Sequence, residues 1–158
     1  MIYIFKVKLS HSKRIWRTIA IKENQTLATL HEAIFYAFDR HDEHLYSFYM
    51  TYGAKRQNRF KNCPEYTHPQ AIQDDGGFLG FRPSPQDATK TEIKDLHLSI
   101  KDKFEYLFDF GDNWLHEIVL EKISKLEPNT KYPKILKING ESPEQYPDYD
   151  EEFEDDDC

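Results

Sequence analysis

Two alternating runs on either side of a short turn constrain this chain more than anything else in it. Phe104, Tyr106, Phe108 and Phe110 recur at every second position, with Leu107 and Asp109 on the opposite parity. Gly111-Asp112-Asn113 follows, and Gly and Asn tolerate the positive φ that tight turns require. Trp114, His116, Ile118 and Leu120 then alternate against Leu115, Glu117, Val119 and Glu121. A two-residue period is the strand period. The segment is expected to be a hairpin with one aromatic face, central to a sheet.

The N-terminal third supplies the other elements. Phe5, Val7 and Leu9 alternate against Lys6 and Lys8, a polar turn follows at residues 10–13, and Ile15, Ile19 and Ile21 resume the alternation. This reads as a first hairpin with one buried face. Asn24-Gln25-Thr26 offers helix-capping side chains. Leu27, Leu30, Ile34, Ala37 and Phe38 then fall on one face of a helix of about three turns. Leu45 to Met50 is a third, aromatic strand. The expected fold class is α+β: a single domain with a mixed or antiparallel sheet, one main helix packed across it, a β-grasp-like β-β-α-β opening, and the C-terminal hairpin.

Domain boundaries follow from composition. Residues 1–140 are expected to form one domain, interrupted at 53–92 by a long irregular loop punctuated with Gly and Pro. Residues 93–100 carry Ile93, Leu96, Leu98 and Ile100 in a short segment of open type, and no strand is read beyond Pro128. From Glu141 onward there are ten acidic residues and no Lys or Arg. Removing them leaves 18 acidic against 21 basic residues, so the body is mildly basic and the −7 net charge belongs to the tail. Residues 141–158 are read as an acidic, disordered tail. The chain has 158 residues and 15% aromatics, with 11 Phe and 10 Tyr, enough for an aromatic-rich core. No run approaches the roughly 18 apolar residues of a membrane span. The strand-like N-terminus and the two cysteines, Cys63 and Cys158, point to a reducing cytoplasm without membrane contact.

Catalytic signatures are sparse. The chain holds no G-x-S-x-G, P-loop, paired C-x-x-C or H-E-x-x-H. Gly76-Gly77-Phe78-Leu79-Gly80 lacks the lysine of a phosphate loop. Asp109, Asp112 and His116 lie on or beside one turn, with His41 and His44 able to approach; carboxylates and imidazoles can hold a divalent metal and activate water. The structural reading of the same residues is that Asp bonds its own turn amides and that His116 is a core histidine. Trp16 could stack on a planar ligand or anchor the first hairpin against the helix. His31 is expected half-buried, bonded to a neighbouring carbonyl. Lys55, Arg56, Arg59 and Lys61, with Tyr52 and Phe60 nearby, form a basic cluster suited to phosphates.

Four motifs in order carry a family resemblance: Ile15-Trp16-Arg17; Leu27-Ala28-Thr29-Leu30-His31; His44-Leu45-Tyr46-Ser47-Phe48; and Phe104 to Ile118, with its D-F-G-D-x-W-x-H-x-I core. In these the chain resembles the plasmid pRiA4b ORF-3-like family. It departs from that pattern at Tyr46, where the family often has a second histidine. It also departs at the family's closing P-P-E-D-x-G-G segment, which only Glu141-Ser142-Pro143-Glu144 echoes before the acidic run. The resemblance implies one α+β domain and no particular activity.

The reading is a non-enzymatic binding or adaptor module, linked to nucleic acid or mobile-element biology, with nucleic acid or another protein as partner and no cofactor. Its expected recognition surface joins the hairpin residues Asp109, Asp112, Trp114 and His116 to Trp16, His31 and His44. One alternative is a metal-dependent hydrolase using Asp109, Asp112, His116 and His44. Another is a structural or interaction domain with a regulatory acidic tail.

Overall fold

The first hairpin, β1 (Ile2–Leu9) and β2 (Ser12–Lys22), forms as its alternation dictates. In this computed structural model the described residues are 1–51, 63–72 and 85–145. Helix α1 (Leu27–Ala37) follows. Next come β3 (Tyr46–Tyr49), β4 (Glu65–Thr67), the single-turn α2 (Pro69–Ile72) and β5 (Gln86–Asp87). Two 3-10 turns at Ala88–Lys90 and Ile93–Leu96 lead to β6 (Lys103–Phe108), β7 (Trp114–Ser124) and β8 (Lys134–Asn139). The eight strands make one sheet in the order β5-β4-β3-β6-β7-β1-β2-β8. Every neighbouring pair is antiparallel except β4 with β5.

The β6–β7 hairpin lies in the middle of the sheet. The β-β-α-β opening is present in order, but β3 does not lie beside the first hairpin: β6 and β7 come between them. Helix α1 closes one face. Its Leu27, Leu30, Ile34 and Phe38 share a buried cluster with Phe5, Val7 and Leu9 of β1 and with Phe104, Tyr106 and Phe108 of β6. Thr26 caps the helix, its side chain accepting a hydrogen bond from the Thr29 amide at 3.2 Å. At the other end Asp39 takes φ 55°, and the Arg40 and Asp39 amides donate back to the Phe35 and Tyr36 carbonyls. This Schellman turn satisfies the last carbonyls and aims Arg40 inward.

Several expectations need correction. Residues 53–92 are not wholly irregular: their described part contains β4, α2 and β5, elements of two to four residues that are too short to show a period. Strand β8 lies where no strand is expected: its Ile135, Leu136 and Ile138 are exposed at the sheet edge, and its partner β2 is distant in sequence. Phe110 is 40% exposed, because β6 ends at Phe108 and the chain leaves the strand at Asp109. The turn spans residues 109–113, and its positive φ values fall on Asp109 and Asn113, not on Gly111. Residues 141–145 belong to the folded body: Gln145 is 4% exposed, accepts from the His41 and Asp42 amides, and donates to the Asp42 carbonyl. The basic cluster at 55–61, the Gly76–Gly80 stretch and the tail beyond 145 lie outside the described residues.

Arg17 fastens this arrangement together. It is buried, and its Nε donates to the Ala37 carbonyl at 2.7 Å at the end of α1. Its Nη1 donates to the Trp16 and Asn139 carbonyls and its Nη2 to Ser142 Oγ at 2.6 Å. One guanidinium thus joins helix, sheet edge and closing segment. A lysine retains the charge but cannot reproduce the fork. We therefore expect Arg17→Lys to cost about 2–3 kcal/mol by leaving buried acceptors unpaired. Phe104→Ala, a cavity in the central strand, should cost about 3–5 kcal/mol. Urea unfolding of both variants measures these losses, and a change under about 0.5 kcal/mol in either would contradict the assigned packing.

Candidate binding site

The site begins with His31, on the α1 face turned toward β3 and β6. Its ring stacks on Tyr46 with centroids 3.8 Å apart and planes 7° from parallel. His31 Nδ1 lies 2.6 Å from the Tyr106 hydroxyl and Nε2 lies 3.2 Å from Glu43 Oε2. An ionised carboxylate can only accept, so Nε2 carries the proton and Nδ1 accepts from Tyr106. Burial, reinforced by His68 and Arg40, pushes the His31 pKa down to about 3, while burial pushes the Tyr106 phenol up. Both shifts keep this hydrogen-bonded pair neutral. The Glu43 contact is accordingly a hydrogen bond to neutral imidazole and not an ion pair.

Behind His31 the polar chain continues into the core. Arg40 Nη2 lies 2.7 Å from His116 Nε2, and His116 Nδ1 lies 3.2 Å from the Tyr106 carbonyl. Arginine only donates, so Nε2 is the acceptor and Nδ1–H donates to the strand. Burial and the Arg40 charge hold His116 well below its usual pKa. The guanidinium stands 5.2, 5.0 and 5.5 Å from the rings of Phe38, Phe108 and Trp114. Burial lowers the Arg40 pKa to about 10, so it stays cationic at neutral pH. Its Nη1 and the Trp114 indole N–H have no partner among the described residues.

Asp109 organises the turn. Its Oδ1 accepts from the Gly111 and Asp112 amides at 3.1 and 3.3 Å, and its own amide donates to the Leu45 carbonyl. Its Oδ2 lies 3.5 Å from His44 Nε2, and the His44 ring meets Phe108 edge-on. The signature hairpin therefore positions the 43–45 segment, and that segment carries Glu43 and His44.

These contacts frame an open cleft of about 500 Å³. His31 and Glu32 of α1 line it together with Glu43, His44 and Tyr46 of the segment that leads into β3. His68 stands at the α2 side, where its Nδ1 accepts from the Gln70 amide at 3.1 Å and its ring meets Tyr46 edge-on. Among the described residues that line it there is no Lys or Arg. Tyr46 is 2% exposed, its ring stacked on His31 and edge-on to Phe48. Burial, with Asp87, Glu32 and Glu43 nearby, raises its pKa.

The expected recognition surface divides. His31 and His44 line the cleft, with Asp109 behind His44. Asp112 is exposed at the turn, while Trp114 and His116 face the core around Arg40. Trp16 lies on the opposite sheet face from Arg17 and α1, half-buried, with Lys6 Nζ 4.3 Å over its ring. It does not anchor the hairpin to the helix. The set Asp109, Asp112, His116 and His44 does not form a metal site. Asp109 is engaged by turn amides and His116 by Arg40 and a strand carbonyl. No group of three or more His, Cys, Asp or Glu suited to a metal lies among the described residues.

Sequence reasoning missed Arg40, Glu43, Tyr106 and His68 as contributors to this site. Tyr106 read as one more inward aromatic. For Arg40 the available signal was Asp39, a short polar residue able to take positive φ at a helix end.

With this geometry in view, the sequence pattern of the plasmid pRiA4b ORF-3-like protein family matches residues 1–150, and the chain belongs to that family. Among curated proteins none matches the chain. The structure is similar to the crystal structure of a protein of unknown function from Methanosarcina mazei Go1, with a TM-score of 0.71 at 24% identity. That likeness covers 97% of this chain and 79% of the other, and it is a likeness of fold. No helix among the described residues is long and apolar enough to cross a membrane.

The buried imidazoles set the acid stability. A histidine whose folded pKa lies below its unfolded value of 6.5 binds more protons unfolded, so stability is full above pH 6.5 and falls with acidification. For His31 the loss continues toward pH 3, at up to about 1.4 kcal/mol per pH unit. We expect urea midpoints to drop steadily between about pH 7 and pH 5, and His31→Gln to flatten that slope. A pH-independent midpoint over this range would contradict a buried neutral His31.

Proposed function

We propose that the protein is a ligand-binding module whose recognition site is the cleft between α1, residues 43–46 and α2. The observation that carries this reading is the way its polar walls are held from behind. His31 is fixed by Tyr106, and His44 is paired with Asp109. Side chains held by hydrogen bonds outside the cleft lose little freedom when a ligand arrives, and that preorganisation favours binding. A volume of about 500 Å³ suits a small molecule or a single side chain of a partner. The sequence reading of a binding or adaptor module is thereby narrowed to one place. Its nucleic-acid setting rested on Lys55, Arg56, Arg59 and Lys61, which lie outside the described residues, and no described feature adds to it.

The test is amide chemical-shift mapping of the full chain against a panel of small polar metabolites of both charges. A true ligand should shift residues 28–32 and 43–46 saturably. Ala28 lines the cleft and is only half-buried, so Ala28→Trp should fill the mouth and weaken binding more than tenfold while leaving the thermal midpoint within a few degrees. Saturable shifts confined to other surfaces, or unaltered affinity in Ala28→Trp, would refute the assignment.

A further inference from the structure

We propose that the corner of the core around Arg40 and Trp114 binds a small monovalent anion, a halide or a compact carboxylate such as formate. This site is separate from the cleft, and the proposal does not depend on what the cleft binds. Among the described residues three buried side-chain polar atoms lack a hydrogen-bond partner: Arg40 Nη1, Trp114 Nε1 and Ser10 Oγ. The three residues are neighbours. The Arg40 guanidinium carbon lies 5.5 Å from the centre of the Trp114 ring. The Ser10 amide donates to the carbonyl of Leu115, the next residue along β7, and the ring of His11 stands 5.6 Å from that of Trp114. Unpartnered buried polar groups are scarce in folded proteins and each is costly. Their gathering in one corner calls for one explanation.

Charge identifies the ligand. Arg40 is 8% exposed, and its Nη2 donates to His116, a neutral imidazole. No carboxylate among the described residues forms an ion pair with it. The adjacent Asp39 bears on Arg17 instead. Aromatic faces attract the guanidinium but carry no net charge, and a buried ion without a counter-charge is expensive. Guanidinium and indole N–H groups only donate, and the Ser10 hydroxyl can donate, so the three atoms suit an acceptor. Water can accept from them but leaves the cation uncompensated. An anion accepts and neutralises at once. The rings of Phe38, Phe108 and Trp114 around the guanidinium restrict it to a small one, and a single positive charge favours a single negative one. Trp114 is itself half-buried, next to exposed His11, which gives an ion its route from solvent.

The chain has two tryptophans, so its indole N–H signals report on the site directly. In the full chain at constant ionic strength, sodium gluconate, whose anion is bulky, is replaced stepwise by sodium chloride, bromide or formate. The Trp114 indole signal, assigned as the one retained in Trp16→Phe, should move saturably with each small anion. The Trp16 signal, on the opposite sheet face under Lys6, should stay in place. Over the same range the thermal midpoint should climb with the logarithm of anion concentration once Kd is passed. Trp114→Phe keeps an aromatic ring and removes one donor, so its climb should begin at about tenfold higher concentration. Tighter binding of the halides points to an inorganic ion; tighter binding of formate points to the carboxylate of a metabolite or partner. A Trp114 signal that stays fixed, that drifts linearly, or that moves only in step with Trp16 overturns the proposal and leaves water as the acceptor. An unaltered midpoint response in Trp114→Phe overturns it as well.

Discussion

The wall of the cleft depends on a hydrogen bond that never meets solvent, the 2.6 Å contact between the Tyr106 hydroxyl and His31 Nδ1. Tyr106 is engaged at both polar ends, because its backbone carbonyl accepts from His116 while His116 accepts from Arg40. The middle of the sheet is therefore tied to the middle of α1 and to the turn that closes it through one residue. Each member of the chain is a donor where the next is an acceptor, and this consistency lets so many polar groups sit under a helix. In a low-dielectric interior a single wrong tautomer would leave a donor facing a donor. Burial enforces the right ones by keeping both imidazoles and the phenol neutral.

The four motifs behind the family resemblance have separate physical tasks in this chain. Arg17 of the first clamps the end of α1 to β8 and to Ser142. His31 of the second is the polar wall of the cleft. His44 and Tyr46 of the third line the same cleft, and Tyr46, where the family often has histidine, supplies the stacking surface for His31. The fourth divides its labour. Asp109 and Asn113 shape the turn and hold the 43–45 segment, while Trp114 and His116 enclose Arg40. Motif residues that look like one catalytic set in sequence are thus spread over a turn, a core and a cleft.

The closing segment completes this logic. Gln145 uses its amide in place of backbone to satisfy His41 and Asp42, so the chain just beyond β8 steadies the loop that delivers Glu43 and His44. Electrostatics and architecture meet there: the acidic run of the sequence begins within the segment that props one wall of the cleft.

The sequence by itself determined the two long hairpins, the amphipathic helix and its threonine cap, and the aromatic face they bury. These rest on local periods of 2 and 3.6 that persist over many residues. It also marked His31, His44, Asp109 and His116 as chemically notable. Only the tertiary structure decided that β6 and β7 part β3 from the first hairpin, since strand order is set by long-range pairing that leaves no local period. The same holds for β4 and β5, which are too short to show a period, and for β8, all six of whose residues are exposed. The separation of His116 from the cleft was equally hidden. It follows from Arg40 being turned inward by one left-handed residue at the end of a helix, and from burial that makes both imidazoles hydrogen-bond partners in place of metal ligands.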